Sequence, residues 1–224
     1  MSSHLTDYAA ARNLMVDGQV RPNKVTDPRI IAAMRMLPRE RFVPLAKASL
    51  AYADQDVSLG GGRVLMQPML IARLVQTAAI VAGERVLVLG AGCGYAACVL
   101  AACGADVVAL ESEEDLAAHA HALLAEFAPG VRLVTGKLAQ GCPAHAPYDV
   151  VLIDGAYEEL PPAVVAQLRQ PSGRLVGVRA GAGRTAQAVL GEVAGAGTGL
   201  GTHVVFDAPT AALPELCRVA AFTF

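Results

Sequence analysis

The stretch Val86–Tyr95, VLVLGAGCGY, decides the fold of this chain. Its apolar first half leads directly into three glycines at alternate positions, Gly90, Gly92 and Gly94. The pattern predicts a buried strand, a tight turn and the start of a helix, because glycine accepts positive φ and lets a ligand approach the backbone closely. The unpaired N–H groups of the helix start favour a negatively charged group. The stretch therefore predicts a nucleotide-type site.

A second apolar run, Asp106–Leu110, ends at Glu111. In Rossmann-like sites an acid about 20 residues beyond the glycines binds the ribose hydroxyls. Tyr95 stands where the dinucleotide pattern requires glycine or alanine, so the glycine spacing alone is a weak signal. The alternative interpretation is an ordinary strand-to-helix turn followed by an exposed acid.

Length and composition indicate one large α/β domain with a substantial core. The chain has 224 residues, of which 54% are hydrophobic, and a formal net charge of −2. A slightly negative net charge does not indicate the basic surface that binding to nucleic acid or an anionic membrane requires. The N-terminal residues lack a signal-peptide pattern, and five cysteines, an odd number, are typical of a reducing compartment. We therefore expect a cytoplasmic protein with neither nucleic acid nor membrane as a partner.

Two further segments could have indicated other classes of protein. Residues 86–105 carry no charge and are long enough to span a bilayer, but their glycine cluster favours a buried strand, turn and helix. Cys93, Cys98 and Cys103 step by five, which points them in different directions on a helix. We predict no metal site.

From Arg85 onward the chain alternates strands and helices, which predicts a mostly parallel sheet covered on both faces. We expect strands near 85–89, 106–110, 131–135, 149–153 and 173–178, and helices near 94–103, 113–127, 161–169 and 184–193. After a flexible connection at 195–201, the segments Thr202–Phe206 and Cys217–Phe222 are predicted to close the sheet as an antiparallel pair. Before Arg85, helices are expected at 7–17, at 27–37 and from Pro68, with a long glycine-rich loop over 58–68.

The chain resembles the protein-L-isoaspartate O-methyltransferase family, within the class I S-adenosylmethionine-dependent methyltransferases. The resemblance runs nearly end to end. It is carried by Met15–Arg21, Val25–Met34, Pro38-Arg-Glu-Arg-Phe-Val-Pro44, Ala51–Asp54, Gln67-Pro68, Gly90–Tyr95 and Pro147–Val151. The Pro-Arg-Glu-x-Phe-Val-Pro string and the Gln-Pro pair are specific to that family, whereas the glycine loop is shared by all class I methyltransferases.

The resemblance implies a seven-stranded Rossmann-like sheet with an N-terminal helical extension. It implies a single domain over 1–224, in which 1–80 form the extension with its substrate loop and 81–224 form the core. The implied reaction is methyl transfer from S-adenosyl-L-methionine to the carboxylate of an isoaspartyl residue in a damaged protein or peptide. Such a carboxylate is ionised at neutral pH, so alignment and desolvation matter more than a general base. The oligomeric state is not predicted.

The resemblance also implies the site residues. The residues that would bind the cofactor are Gly90, Ala91, Gly92, Gly94, Tyr95, Glu111, Ser112, Lys137 and Leu138. The residues of the substrate loop are Val64, Leu65, Met66 and Gln67.

The chain departs from the family pattern at both sites. The substrate loop usually reads Thr-Ile-Ser before Gln-Pro, and here Val64 and Met66 replace the two hydroxyl residues. The first strand usually carries an acid where Val88 stands, and Lys137 replaces the aspartate that usually recognises adenine. Two alternatives therefore stay open beside protein repair: a methyltransferase for a more apolar acceptor, and a descendant without catalysis.

Asp154 is the candidate for a substrate contact or base. It follows the predicted strand 149–153, where many class I methyltransferases keep an acid near the reacting groups. The alternative role is a turn former before Gly155.

Overall fold

A computed structural model describes residues 7–181, 184–193 and 199–218 of the chain. Its main feature is a seven-stranded sheet with the strand order β5-β4-β3-β6-β7-β8-β9. The strands are β3 (Arg85–Leu89), β4 (Asp106–Glu111), β5 (Arg132–Thr135), β6 (Val150–Tyr157), β7 (Arg174–Gly181), β8 (Arg184–Val193) and β9 (Leu200–Asp207). Strands β3 to β7 are mutually parallel, and β8 and β9 are antiparallel to their neighbours. The predicted mostly parallel Rossmann-like sheet is confirmed.

Helices connect the parallel strands, and an extension precedes them. The helices are α1 (Tyr8–Met15), α2 (Pro28–Met36), α3 (Pro68–Ala78), α4 (Tyr95–Ala102), α5 (Glu114–Phe127) and α6 (Pro162–Val165), and a hairpin is formed by β1 (Val57–Gly60) and β2 (Arg63–Leu65). A π turn covers Val16–Val20, and 3-10 turns cover Arg21–Asn23, Arg39–Phe42, Leu45–Leu50, Leu138–Gln140, Pro143–His145 and Pro214–Leu216. Helix α2 begins as its sequence predicts, because the Asp27 side chain accepts a hydrogen bond from the Arg29 amide at 2.8 Å. The predicted N-terminal helical extension is confirmed.

The strand order creates a crevice at the carboxyl ends of β3 and β6. Strand β3 pairs with β4 on one side and with β6 on the other, so the direction of winding reverses between β3 and β6. Open α/β sheets bind their ligands at this reversal, beyond the carboxyl ends of the strands. The glycine turn follows β3, and Gly155 lies near the end of β6, so both border the crevice.

The core lies on both faces of the sheet. Val86 and Val88 of β3 belong to one buried cluster, together with the N-terminal extension, and Leu87 and Leu89 belong to a second. Alternate residues of a strand point to opposite faces, so a strand covered on both sides must be apolar throughout. Val88 therefore packs in the core, at the position where the family usually has an acid.

The sequence-based prediction was wrong for 184–193, which is strand β8 rather than a helix. Ala, Gln, Leu and Glu favour a helix locally, but β8 pairs along its length with β7 on one side and β9 on the other. At Gly191 an added Cβ would lie 2.6 Å from Leu200 Cδ2, so the Leu200 side chain of β9 packs directly on this glycine.

The expected loop over 58–68 was also wrong in part, because it contains the β1–β2 hairpin, in which Val57 pairs with Leu65. The helix expected over 161–169 is only the single turn α6. Of the predicted strand 217–222, Cys217 and Arg218 are irregular and the remaining residues lie outside the described ranges, as does most of the expected connection at 195–201.

The uncharged stretch 86–105 forms β3, the glycine turn and α4. Within the described residues, no helix combines the length and the apolar character needed to cross a membrane.

The burial of β3 predicts a large loss of stability when one of its side chains is shortened. Leu87 is fully buried, so Leu87→Ala should lower the free energy of unfolding by about 2–5 kcal/mol, since the surroundings relax only partly around a cavity. The matched control Leu45→Ala, at a side chain that is 92% exposed, should change it by less than about 0.5 kcal/mol. Urea unfolding followed by circular dichroism measures both, and equal effects would contradict this placement of β3.

Candidate cofactor site

The glycine turn after β3 has the backbone conformation that its sequence predicts. Gly90, Gly92 and Gly94 have φ of 78°, 55° and 88°, in the left-handed region that side chains disfavour. The amides of Gly90 and Ala91 donate to the Leu110 carbonyl at 2.9 and 3.0 Å, which fastens the turn to β4. The turn therefore places its glycines at the end of β3, beside the final residue of β4.

Glu111, the final residue of β4, is fully buried and accepts six hydrogen bonds. Three come from backbone amides: Gly92 donates to Oε2 at 2.6 Å, and Ser112 and Glu113 donate to Oε1 at 2.8 and 3.0 Å. A buried carboxylate is tolerated only when its oxygens are satisfied. The acid predicted to bind ribose thus lies against the glycine turn.

Of the remaining three hydrogen bonds to Glu111, one comes from the Ser112 hydroxyl at 3.4 Å and two come from Arg63, the first residue of β2. Its Nη1 lies 2.6 Å from Oε1 and its Nη2 lies 2.9 Å from Oε2, a bidentate pair between side chains that are 4% and 0% exposed. Nη2 also donates to the Gly90 carbonyl at 2.7 Å. Arg63 therefore connects the hairpin to both the acid and the glycine turn.

A segment after β9 occupies the crevice from the other side. An added Cβ at Gly155 would lie 2.8 Å from Leu213 Cγ, and one at Gly90 would lie 3.0 Å from Leu213 Cδ1, so Leu213 fills the space between the ends of β3 and β6. Two residues further on, Glu215 Oε2 accepts a hydrogen bond from the Leu138 amide at 3.1 Å.

The substrate-loop residues form the second strand of the hairpin and the start of α3. Val64 is half-buried, whereas Leu65 and Met66 are buried, and the Met66 carbonyl accepts a hydrogen bond from the buried Arg39. The Gln67 amide donates to Asp56 Oδ1 at 2.8 Å. Arg39 and Asp56 therefore fix the backbone of the loop. Val64 and Met66 stand where the family usually has hydroxyl residues, and only Val64 is partly accessible.

Asp154 lies within β6, at an irregularity in its pairing with β7, and not in a turn after the strand. The side chain is buried, and Oδ1 has no hydrogen-bond partner among the residues that the structure describes. Burial raises the pKa of Asp154 to about 7, with the Arg63 guanidinium opposing that shift and the Glu111 carboxylate adding to it. The structure therefore brings an unpartnered acid close to the Arg63–Glu111 pair.

The other residues predicted to bind the cofactor are divided between crevice and core. Leu138 is buried in the 3-10 turn that follows β5, and Ser112 is half-buried beside Glu111. Lys137 is exposed. The Tyr95 ring is buried against Phe42 with its centroid 5.1 Å away, on the side of the N-terminal extension.

Sequence reasoning missed four residues that shape the crevice: Arg63, Asp56, Leu213 and Glu215. Arg63 directly precedes the substrate loop, yet an arginine in a polar, glycine-rich segment is ordinarily exposed. Leu213 and Glu215 lie more than 100 residues from Gly90 in the chain, and no local pattern reports such a contact.

The residues present have the chemistry that a nucleoside cofactor requires. A buried carboxylate and a glycine turn meet at the end of two parallel strands, as in ribose-binding sites of this architecture. The unpartnered oxygen of Asp154 lies in the same region. The donor set therefore fits, while Arg63 and Leu213 hold part of the space.

The sheet order, the glycine turn and the buried acid together define a Rossmann-like protein with a nucleoside-type binding site. The family model described as "Protein-L-isoaspartate(D-aspartate) O-methyltransferase (PCMT)" matches residues 11–190. The chain belongs to the protein-L-isoaspartate(D-aspartate) O-methyltransferase family, whose members use S-adenosylmethionine.

Individual relatives agree with the family model. A protein-L-isoaspartate O-methyltransferase of Methylorubrum extorquens is 42% identical over 175 residues, which are 78% of this chain and 76% of that protein. One of Rhodopseudomonas palustris is 38% identical over 191 residues, 85% of this chain and 77% of that protein.

Solved structures share the fold. A protein-L-isoaspartate O-methyltransferase has a TM-score of 0.77 at 23% identity, over 93% of this chain and 67% of that one. A Plasmodium falciparum structure described as a complex with S-adenosyl-L-homocysteine has a TM-score of 0.72 at 17% identity, over 91% of this chain and 98% of that one.

Burial of the Arg63–Glu111 pair predicts that removing Arg63 costs more stability than removing the more exposed Arg41. Arg63→Met should lower the free energy of unfolding by about 3–5 kcal/mol, because Glu111 is then a buried charge without its countercharge. Arg41→Met should cost less than about 1 kcal/mol, because the Arg41–Glu126 pair is half exposed on both sides. Chemical denaturation at pH 7 measures both variants, and a small loss for Arg63→Met would show that Glu111 does not depend on it.

Replacing the buried Asp154 by a neutral residue should stabilise the protein, by an amount that depends on pH. Its folded-state pKa of about 7 exceeds the ordinary value of 3.8, so the folded protein binds the proton more tightly and loses stability as pH rises from about 4 to about 7. Asp154→Asn should match the wild type at pH 4 and melt higher at pH 8, by on the order of 5 °C.

Asp106→Asn is the control for this titration, because Asp106 is solvent-accessible at 43% and pairs with Arg85. The melting temperature of Asp106→Asn relative to the wild type should not rise between pH 4 and pH 8. Thermal melts at both pH values test the pair of variants, and a constant difference between Asp154→Asn and the wild type would contradict the raised pKa.

Proposed function

We propose that this chain transfers a methyl group from S-adenosylmethionine to the side-chain carboxylate of L-isoaspartyl residues in damaged proteins. The match of the family model over residues 11–190 supports this assignment. The geometry adds that the glycine turn, Glu111 and the hairpin bearing the substrate loop converge on one crevice.

The observation that carries the proposal is the contact between the cofactor acid and the hairpin. Arg63 bonds to Glu111 and immediately precedes Val64 and Leu65, so the cofactor residues and the acceptor loop are neighbours. Transfer of a methyl group requires donor and acceptor in line and in contact, which this adjacency allows.

When bound, S-adenosylmethionine supplies an electrophilic methyl group on a sulfonium. Glu111 would accept hydrogen bonds from the ribose hydroxyls, and the backbone of the glycine turn would lie against the bound cofactor. The buried ends of β3 and β6 would exclude water from the reacting atoms.

Asp154 is proposed to contact the acceptor. It lies within β6, beside the crevice, with one oxygen unpartnered among the described residues. With a pKa of about 7 it is partly protonated at neutral pH, so its neutral form can donate a hydrogen bond to an acceptor carboxylate. Val64 and Gln67, both half-buried, are proposed to border the acceptor on the hairpin side.

The proposal includes the setting of the reaction. The partner is a protein or peptide with an isoaspartyl residue rather than nucleic acid, since the net charge of −2 provides no basic footprint. A cytoplasmic location is supported by the five cysteines, all of which are free thiols. A single domain, with 1–80 as extension and 81–224 as core, is supported by one buried cluster that includes residues from Met15 to Ala208.

The direct test is methyl-ester formation on a peptide. The protein with saturating labelled S-adenosylmethionine should esterify an isoaspartyl peptide and not the matched aspartyl peptide. Glu111→Gln should lower kcat/KM for the cofactor about tenfold or more, because a hydrogen bond to a charged group contributes about 1.5–3 kcal/mol.

The matched control for Glu111→Gln is Glu113→Gln, an exposed acid two residues further along the chain, which should leave kcat/KM unchanged. Circular dichroism of both variants checks that the fold is retained. If the cofactor binds and the isoaspartyl peptide gains no more ester than the aspartyl peptide, the repair assignment is wrong.

A further inference from the structure

Three contact points of the predicted cofactor site are engaged by the chain itself. These are the glycine turn, the Glu111 carboxylate and the Leu138 amide. The partners come from two segments far apart in sequence, the hairpin with Arg63 and the residues 211–216, here called the strap. Arg63 contacts Glu111 and the Gly90 carbonyl, and the strap contacts Gly90 and the Leu138 amide, so the two segments together engage all three points.

Leu213 of the strap fills the crevice where the winding of the sheet reverses. Its side chain lies within 3.0 Å of a Cβ built on Gly90 and within 2.8 Å of one built on Gly155, and it is 2% exposed. The glycines that would let a ligand approach the backbone therefore receive an isobutyl group instead.

Arg63 covers the carboxylate that would hold the ribose. Each oxygen of Glu111 already accepts one guanidinium N–H and at least one backbone N–H. A carboxylate offers about four acceptor positions, so ribose hydroxyls can bind Glu111 with good geometry only when Arg63 withdraws.

Outside the crevice, backbone hydrogen bonds hold both ends of the strap, and at its far end the Glu158 and Glu159 amides donate to the Leu216 carbonyl at 2.9 and 3.1 Å. The Leu213 amide donates to the Ala156 carbonyl at 2.7 Å, the Ala156 amide donates to the Ala211 carbonyl at 2.9 Å, and Ala156 and Ala212 form an isolated bridge. The residue before the strap, Thr210, donates to Asp56 at 2.6 Å, and Asp56 also accepts the Gln67 amide. The strap and the hairpin are thus joined, so that movement of one affects the other.

We propose that Arg63 and the strap form a plug in the cofactor site, and that S-adenosylmethionine or S-adenosylhomocysteine binds by displacing both. The proposal rests on the proposed function for the identity of the ligand. Because only the open form binds, the measured affinity equals the intrinsic affinity reduced by the fraction of open molecules.

Leu213→Ala tests the plug. It removes the side-chain atoms from the crevice and keeps the backbone hydrogen bond of the strap, so the open fraction rises. We expect S-adenosylhomocysteine to bind about tenfold more tightly than to the wild type in calorimetric titration.

Leu168→Ala is the matched control. Leu168 is also 2% exposed and belongs to the same buried cluster as Leu213, but it follows α6 and lies outside the strap. This variant should lose comparable stability and bind S-adenosylhomocysteine as the wild type does. Equal affinities for the wild type and both variants would overturn the plug and leave the proposed function intact, because the cofactor then binds without displacing Leu213.

Hydrogen exchange of the wild-type protein gives a second readout that needs no variant. With S-adenosylhomocysteine bound, amides of the strap should exchange faster than in the free protein while the glycine turn becomes protected. Slower or unchanged exchange in the strap would overturn the plug. Absence of binding to both the wild type and Leu213→Ala, with both folded, would overturn the plug and the proposed function together.

Discussion

The ion pair between Arg63 and Glu111 is the interaction on which the arrangement of this site depends. Both side chains are buried, and two charges removed from water are tolerated only when each is paired and hydrogen-bonded. Glu111 meets that condition through Arg63 and three amides, and Arg63 through Glu111 and the Gly90 carbonyl. The pair therefore fixes the hairpin, the glycine turn and the end of β4 in one arrangement.

The same pair explains why hairpin and strap act together. Arg63 lies in β2, and the Gln67 amide after β2 donates to Asp56, which also accepts a hydrogen bond from Thr210, the residue before the strap. Pro214 of the strap lies beside Gly62, where an added Cβ would be 3.2 Å away. The two segments form a continuous layer over the carboxyl ends of β3 and β6, and the charge of Glu111 anchors it.

Local patterns predicted the parts of the fold that local residues determine. The glycine turn, α2 with its Asp27 cap and the apolar strands β3 and β4 all lie where the sequence places them. The residues of β8 favour a helix, and the pairing of β8 with β7 and β9 is not visible locally, so the sequence predicts a helix where the structure has a strand. Glu111 could be chosen from its spacing, but burial of Arg63 and insertion of Leu213 arise from tertiary contacts between distant segments. The architecture and half of the site were thus predictable, and the closure of the site was not.

Binding at such a site is an exchange of contacts rather than the filling of a void. In the proposed exchange, ribose hydroxyls on Glu111 replace the guanidinium N–H groups of Arg63, so the free energy gained there is the difference between the two sets of hydrogen bonds. Exposing Leu213 costs about 1.5–3 kcal/mol of hydrophobic free energy, which contacts of the adenine and the sulfonium must exceed. Lys137 offers adenine no carboxylate, and Glu215 already accepts a hydrogen bond from the amide of the next residue, Leu138. The affinity of this site therefore depends on how readily the strap leaves as well as on the polar contacts to the cofactor.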